Sequence, residues 1–251
     1  MRSLDVIFTP AEFAALASRD LSTTTCVVFD VLRATSTMLQ ALAGGATAIY
    51  PVNDIAEALA RRAQSPGVLL AGERNGLRIR AAQTGGTDFD FGNSPREFTP
   101  DRVAGRDLVM TTTNGTLALR ACAHAGHVLV TSFANLDATA NWLTQHAAGD
   151  VLLVCAGTGE QASYEDTLGA GALADRIWPL TREALIGDAA QIARSIFRAA
   201  QDDLITAVRH ASNGRRLLSI PELAEDVAIC LTVDRFDFVA RLGAGGAVNR
   251  L

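Results

Sequence analysis

The chain has 251 residues, 49 % of them hydrophobic and 20 % charged, with 22 basic against 27 acidic residues and a net charge of −5. That is enough apolar material for one large folded unit, and it excludes an intrinsically disordered chain. Every basic residue is arginine, which excludes a Schiff-base lysine and the lysine of a Walker-type nucleotide site. With a pI of about 5.4, 6 % aromatic residues and no basic run, the composition argues against nucleic acid and for a small-molecule partner.

Residues Met1 to Pro10 hold no apolar core of a leader peptide, and no apolar run reaches the about 18 residues that a membrane span needs. A cytoplasmic protein with no membrane partner is expected. The mean hydropathy of +0.19 fits a buried core. Short β-branched runs alternate with alanine-rich helical patterns along the chain. A strand at 26–30 precedes helices at 35–43 and 54–64. A Gly- and polar-rich stretch, 72–95, reads as a long loop, and loops of that length in folded domains usually carry function. A strand at 108–112 feeds a helix at 114–124, a strand at 127–132 one at 136–147, and a strand at 151–157 one at 166–176. A long helix near 184–211 follows, with Ile186, Ala190, Ala193, Phe197, Ala200, Leu204 and Val208 on one face and Asn213-Gly214 as its stop. Ser219-Ile-Pro-Glu222 reads as a capping box opening one more helix. The pattern predicts an α/β fold with a largely parallel sheet flanked by helices on both faces, built as one unit over 1–251 or as two intimately packed similar lobes.

Cys26, Cys122, Cys155 and Cys230 form no CxxC pair, and His124, His127, His146 and His210 form no HxH or HExxH pattern. Reduced core thiols and no histidine-bound metal are expected. Three junctions instead concentrate polar groups where a strand meets a helix. The first runs from Asp30 through Arg33, Thr35, Ser36 and Thr37. The second contains Thr111, Thr112, Thr113, Asn114, Gly115 and Thr116, and the third Gly157-Thr158-Gly159 with Glu165 and Asp166. Each read alone is as readily a set of helix caps. Together they place three polar loops at strand C-termini, where open parallel sheets bind ligands and helix N-termini attract anions. The long loop adds Glu73-Arg74 between Gly72 and Gly76, and Asn93-Ser94 after Gly92.

Several phosphatase chemistries fail on the residues. The apolar strand ending in Asp30 lacks the second Asp two positions on that haloacid-dehalogenase phosphatases use, since position 32 is Leu. No Cys-x5-Arg loop, Arg-His-Gly triplet or GxSxG elbow occurs. What remains is carboxylates, hydroxyls and arginines, oxygen and guanidinium groups suited to Mg²⁺ and an anionic substrate.

Asp30-Val-Leu-Arg-Ala-Thr-Ser-Thr37, Gly72-Glu-Arg74, Phe91-Gly-Asn-Ser-Pro95, Thr111-Thr-Thr-Asn-Gly-Thr116 and Cys155-Ala-Gly-Thr158 with Glu165-Asp166 follow one another in order. Ser212-x-Gly214-Arg-x-Leu217 and Asp226-Val227 with Cys230 come later. In this order the blocks resemble the 2-phosphosulfolactate phosphatase (ComB) family over nearly the whole chain. The resemblance implies a Mg²⁺-dependent hydrolase that converts (R)-2-phospho-3-sulfolactate to 3-sulfolactate and phosphate, a step of coenzyme M biosynthesis. It also implies an unusual α/β fold and a homodimer. On that reading Mg²⁺ is held by Asp30 with Glu73 or the Glu165 and Asp166 pair. Arg33, Arg74, Thr35, Ser36 and Thr37 hold phosphate, and Asn93, Ser94, Thr112, Thr113, Asn114 and Gly115 bind the rest of the substrate.

The segment 81–87 departs from the family as an insert that could reshape the substrate mouth, and Phe238-Val-Ala240 stands where Val-Pro is commoner. Covalent catalysis through Asp30 or Cys155 stays open at this point. So do another phosphorylated 2-hydroxy acid as substrate and a non-catalytic sensor of small anions.

Overall fold

Aliphatic runs without a polar face become strands that must be covered on both sides. The computed structural model describes residues 1–251. Its strands are β1 (Ser3–Ile7), β2 (Thr24–Phe29), β3 (Ala48–Pro51), β4 (Leu69–Arg74), β5 (Leu77–Arg78), β6 (Asp107–Thr111), β7 (His127–Thr131), β8 (Asp150–Cys155), β9 (Leu185–Ile186), β10 (Ala240–Leu242) and β11 (Val248–Arg250). They form one sheet in the order β5-β4-β6-β3-β11-β10-β7-β2-β8-β1-β9. Pairing is parallel within β4-β6-β3 and within β7-β2-β8-β1-β9. The antiparallel hairpin of β10 and β11 splices the two parallel blocks, so they run in opposite senses.

Alternate residues of each central strand enter different cores, as the pleat demands. In β2, Val27 and Phe29 belong to one cluster and Cys26 and Val28 to the other. In β8, Leu153 and Cys155 oppose Leu152 and Val154 in the same way. The first cluster is covered by the helices Leu136–His146, Tyr164–Ile177 and Asp188–Ala200, the second by Ala34–Ala43 and Gly115–Ala121. A smaller cluster of Val52, Leu70, Phe89 and Val109 closes the β4–β6 end. The result is the expected α/β fold with helices on both faces of a mostly parallel sheet. No helix is long and apolar enough to cross a membrane.

The strands read from the sequence at 26–30, 108–112, 127–132 and 151–157 appear as β2, β6, β7 and β8. The helix at 54–64 is Ile55–Gln64, capped by Asp54, whose carboxylate accepts the Glu57 N–H at 2.8 Å. Three expectations need correction. The helix near 184–211 is not continuous: β9 comes first, the helix Asp188–Ala200 ends in a 3-10 turn, and Asp203 caps a new helix, Leu204–Arg209. Its apolar face persists, with Ala190, Ala193, Phe197 and Val208 all buried, because the periodicity spans the break. Asn213-Gly214 does not stop a helix but lies within the next one, Ser212–Leu218. The Ser219 capping box does not form: its hydroxyl donates back to the Arg216 carbonyl, and the last helix is Ala224–Cys230.

The helices Tyr164–Ile177 and Asp188–Ala200 pack backbone to backbone at Gly171. A Cβ there would run into the Ala193 carbonyl oxygen and lie 2.8 Å from the Phe197 Cβ. Gly171→Ala should therefore destabilise by overpacking, by about 2 kcal/mol, despite the better helix propensity of alanine. Calorimetry should show a melting midpoint lower by about 4–8 °C; an unchanged or higher midpoint would mean that the two helices separate freely.

Candidate active site

The strand β2 ends at Phe29, and the chain turns through Asp30 into the helix Ala34–Ala43. The turn is held locally. The Asp30 N–H donates to Thr35 Oγ1 at 3.1 Å, and Asp30 Oδ1 accepts the Ala34 N–H at 3.0 Å. Asp30 Oδ2 accepts no hydrogen bond from the protein, although the residue is only 8 % exposed. It looks into a cavity of about 240 Å³ whose walls carry a single apolar side chain, Leu32. Gly115 closes over this oxygen; a Cβ at that position would collide with Asp30 Oδ2 and the Ala34 methyl.

Loops from both parallel blocks meet at the cavity. From the end of β4, Glu73 Oε2 accepts the Gly76 N–H at 2.7 Å, and Oε1 accepts the Thr113 N–H and hydroxyl, each at 2.9 Å. This ties the β4–β5 turn to the loop after β6. Asn114 then reaches the loop after β8, donating to the Ala156 and Gly159 carbonyls at 3.2 and 3.0 Å. Arg33 is almost wholly buried between the Asp226 carboxylate and the Gly76 carbonyl, at 2.6 Å from each.

The electrostatics are those of acids crowded out of water. Burial pushes the Asp30 carboxyl up to about 7. The Ala34 N–H and Arg33 oppose that rise, and the negative charges of Glu73 and Glu165 add to it. Asp166 is held well above the usual carboxylate range by burial, then by Asp30 and Glu165. Burial, then Asp166, likewise raises the Cys155 thiol well above its ordinary value. A neutral, buried thiol is a poor nucleophile, and Cys155 is wholly buried and lines no part of the cavity, which argues against a covalent route through it. All four cysteines are free and buried, as expected.

Of the residues singled out from the sequence, Asp30, Arg33, Glu73, Asn93, Thr113, Asn114 and the Gly157-Thr158-Gly159 loop line this cavity together. Others have different employment. The hydroxyls of Thr35, Ser36 and Thr37 donate to the carbonyls of Asp30, Val31 and Asn93, each at 2.9 Å, and none lines the cavity. A strand-to-helix turn leaves carbonyls to satisfy, and short hydroxyl side chains do this locally. Thr112 and Thr116 cap one another reciprocally at 3.2 Å, and Ser94 donates to Asp226 at 2.7 Å. Arg74 turns away to the Glu73 carbonyl and the Thr111 hydroxyl, 2.7 and 3.1 Å off. Asp166 takes the N–H groups of Val31 and Gly157, clamping the β2 and β8 loops together. Glu165 is buried beside Asn213 and faces a neighbouring recess of about 590 Å³. The segment 81–87, expected as an insert at the mouth, contributes nothing to the walls.

The four carboxylates proposed as a metal set therefore do not converge, and no three acidic, His or Cys side chains form a metal cage. Among the buried side chains of the cavity wall, two hard oxygen atoms stand without a donor: Asp30 Oδ2, and Asn93 Oδ1, which has no hydrogen-bond partner. Both residues line the same cavity. Such a pair suits Mg²⁺, which is commonly bound through one or two protein oxygens with water and phosphate completing its shell.

Sequence reasoning assigned no site role to Asn75, Asn213 and Arg216 in the cavity wall, nor to Asp226 behind it. Asp226 left a trace. It shares the stripe Leu223, Asp226, Val227, Cys230 of its helix, and an acid on an apolar stripe needs a buried partner. Asn213 left only an Asn-Gly pair, which is also the commonest helix stop.

Comparison with known sequences places this geometry. The family model described as 2-phosphosulpholactate phosphatase matches residues 11–245. Relatives carrying the name probable 2-phosphosulfolactate phosphatase include one from Thermotoga petrophila, 38 % identical over 88 % of this chain and 90 % of its own. One from Caldanaerobacter subterraneus is 35 % identical over 93 % of both chains. One from a Synechococcus strain (JA-3-3Ab) is 39 % identical over 85 % of this chain and 86 % of its own. The cavity at the ends of β2, β4, β6 and β8 thus belongs to a member of the 2-phosphosulfolactate phosphatase family.

Proposed function

We propose that the protein is a phosphoric monoester hydrolase acting in this cavity on (R)-2-phospho-3-sulfolactate, giving 3-sulfolactate and phosphate, as a step of coenzyme M biosynthesis. The observation that carries this reading is Asp30: a buried carboxyl raised to about 7, with one oxygen unbonded and open to a small polar cavity. A group with that affinity for protons is matched to proton transfer at neutral pH. Uncatalysed phosphate monoesters are exceptionally inert, and the protein's part is to neutralise phosphoryl charge and align the attacking water.

Arg33 supplies a guanidinium that cannot swing, since Asp226 and the Gly76 carbonyl hold it, while its remaining N–H groups are free for phosphoryl oxygens. Thr113 and Asn114 form the wall opposite, fixed by Glu73 and by the β8 loop. Mg²⁺ fits Asp30 Oδ2 and Asn93 Oδ1, and when bound it would neutralise phosphoryl charge and lower the pKa of a water. Asp30 Oδ2 is the oxygen that would hold the metal or, with the metal elsewhere, take the proton of an attacking water, and Leu32 lines the cavity with it.

Phosphate release from 2-phosphosulfolactate, 2-phospholactate and 3-phosphoglycerate tests the reading. Release should be selective for the first and abolished by EDTA, and excess Mg²⁺ should restore it. Folded protein silent on all three would overturn the reaction, and EDTA-resistant turnover would overturn the metal. A second measurement needs no turnover: millimolar Mg²⁺ should raise the melting midpoint of the wild type at pH 8, and do so far less for Asp30→Asn.

Asp30 also sets a pH dependence whose sign is fixed. Its folded value of about 7 exceeds the ordinary 3.8, so the folded state holds the proton more tightly. Stability from this group is full below about pH 4 and drains away as pH rises through 7. Asp30→Asn keeps the acceptor for the Ala34 N–H and removes the charge. Without metal the variant should be more stable than wild type at pH 8, by about 2 kcal/mol or more, with the gap closing towards pH 4. Its turnover should fall by at least about 10³-fold. Denaturant melts across that pH range check the first expectation; a gap that does not change with pH would place the Asp30 charge in water.

A further inference from the structure

The cavity is lined by two guanidiniums, and they differ in what neutralises them. Arg33 is paired with Asp226, a carboxylate that is itself wholly buried and also takes Ser94 and Arg96. Arg216 forms no salt bridge at all. Its one polar partner is the neutral amide oxygen of Asn213, at 2.9 Å. Arg216 is solvent-exposed yet lines the cavity, and although Asp30 and Glu73 share that wall, no acid is within salt-bridge reach of it; such a cation is a site for an anion supplied from outside.

The amide of Asn213 cannot be turned over to serve Arg216 differently. Its Nδ2 donates to Thr158 Oγ1 at 2.6 Å and to Glu165 Oε1 at 2.7 Å. The carboxylate can only accept, so the nitrogen must face Glu165 and the oxygen must face Arg216. Glu165 is 1 % exposed and has no other hydrogen-bond partner, which makes it the element that orients the pair. The chain thereby spends a buried acid to fix an amide, and the amide holds the Arg216 head at the cavity wall without cancelling its charge.

We infer that Arg216 is a specificity-determining residue: it binds the second anionic group of the substrate, the sulfonate or carboxylate that is not the phosphate, and Asn213 and Glu165 are its positioning residues. The inference rests on the phosphatase reading for the identity of the substrate, but not for the existence of an anion site at Arg216. Arginine suits either group because its planar fork can bond two oxygens at once, and a polar cavity of about 240 Å³ offers a small dianion little hydrophobic binding. Discrimination between substrates must then come from charge.

The test uses the full chain and the variants Arg216→Gln and Arg216→Lys, with circular dichroism and melting curves to establish that each is folded. Calorimetric titration with 3-sulfolactate, which carries both candidate anions and no phosphate, should show at least 30-fold weaker binding to Arg216→Gln and a smaller loss for Arg216→Lys. In turnover, the ratio of kcat/KM for 2-phosphosulfolactate to that for ethyl phosphate, which has no second anion, should fall by a similar factor, mainly through KM. Equal binding of 3-sulfolactate by wild type and Arg216→Gln, or an unchanged ratio, would overturn the inference. A wild type that binds 3-sulfolactate through Arg216 yet hydrolyses neither ester would leave the anion site standing and bring down the phosphatase reading alone.

Discussion

The Asp226 carboxylate, wholly buried and bonded to Arg33, Ser94 and Arg96, is the constraint on which the cavity depends. Withdrawing two opposite charges from water costs several kcal/mol each, and the cost is met only if every remaining lone pair finds a donor. Here it does: one oxygen takes Arg33, the other Ser94 and Arg96. Arg33 in turn reaches the Gly76 carbonyl, so one ion pair ties the turn after β2, the β4–β5 turn, the 93–97 turn and the last helix together. Removing Asp226 would strand the buried Arg33 charge, which makes this junction far less tolerant than the exposed pairs such as Arg250 with Asp237.

Around that junction the acids are arranged against their own stability. Asp30, Glu73, Glu165 and Asp166 are all buried, and the fields of Glu73 and Glu165 at Asp30 add to what burial does. Glu73 and Asp166 answer this with hydrogen bonds on both oxygens. Asp30 does not, because Ala34 serves only one of its oxygens. With Asn93 Oδ1 and the second oxygen of Glu165, the unbonded oxygen is one of the few buried oxygens here without a donor, and such defects collect where function requires them. A protein selected for stability alone would place a donor there.

How much of this is legible in the sequence follows from how local each feature is. The central strands β2, β6, β7 and β8 are apolar runs read without error of type, and the helices beside them follow from periodicity. The short strands β10 and β11, three residues each, carry no periodic signal; they are strands only because the sheet on either side offers them partners. Asp30, Thr113 and Asn114 could be named because each sits in a polar cluster at a strand end, and Glu73 and Asn93 because they sit in the polar stretch 72–95. The same clusters misled at Thr35, Ser36, Thr37 and Thr112, since a hydroxyl beside a helix start caps and binds with equal ease. Asn213, Arg216 and Asp226 reach the site from two C-terminal helices across more than 40 residues of chain from any other wall residue or its support, and only Asp226, an acid on an apolar stripe, shows locally that it needs a distant partner.

The size and chemistry of the cavity also restrict what any ligand can be. A volume of about 240 Å³ is below the about 300–1,000 Å³ of pockets that take drug-sized molecules, which fits a small polar ligand. With Leu32 as the single apolar wall, burying carbon yields little free energy there, and a hydrated anion loses water without hydrophobic compensation. Binding then has to come from charge-assisted hydrogen bonds to groups already in position, which avoids the entropic cost of ordering them on binding. Arg33 locked by Asp226, and Arg216 held by an amide that Glu165 orients, meet that requirement at two separate points of the wall. One buried cation and one exposed cation on the same wall, beside Asp30 and Glu73, favour a compact molecule with more than one anionic group over one with a single phosphate.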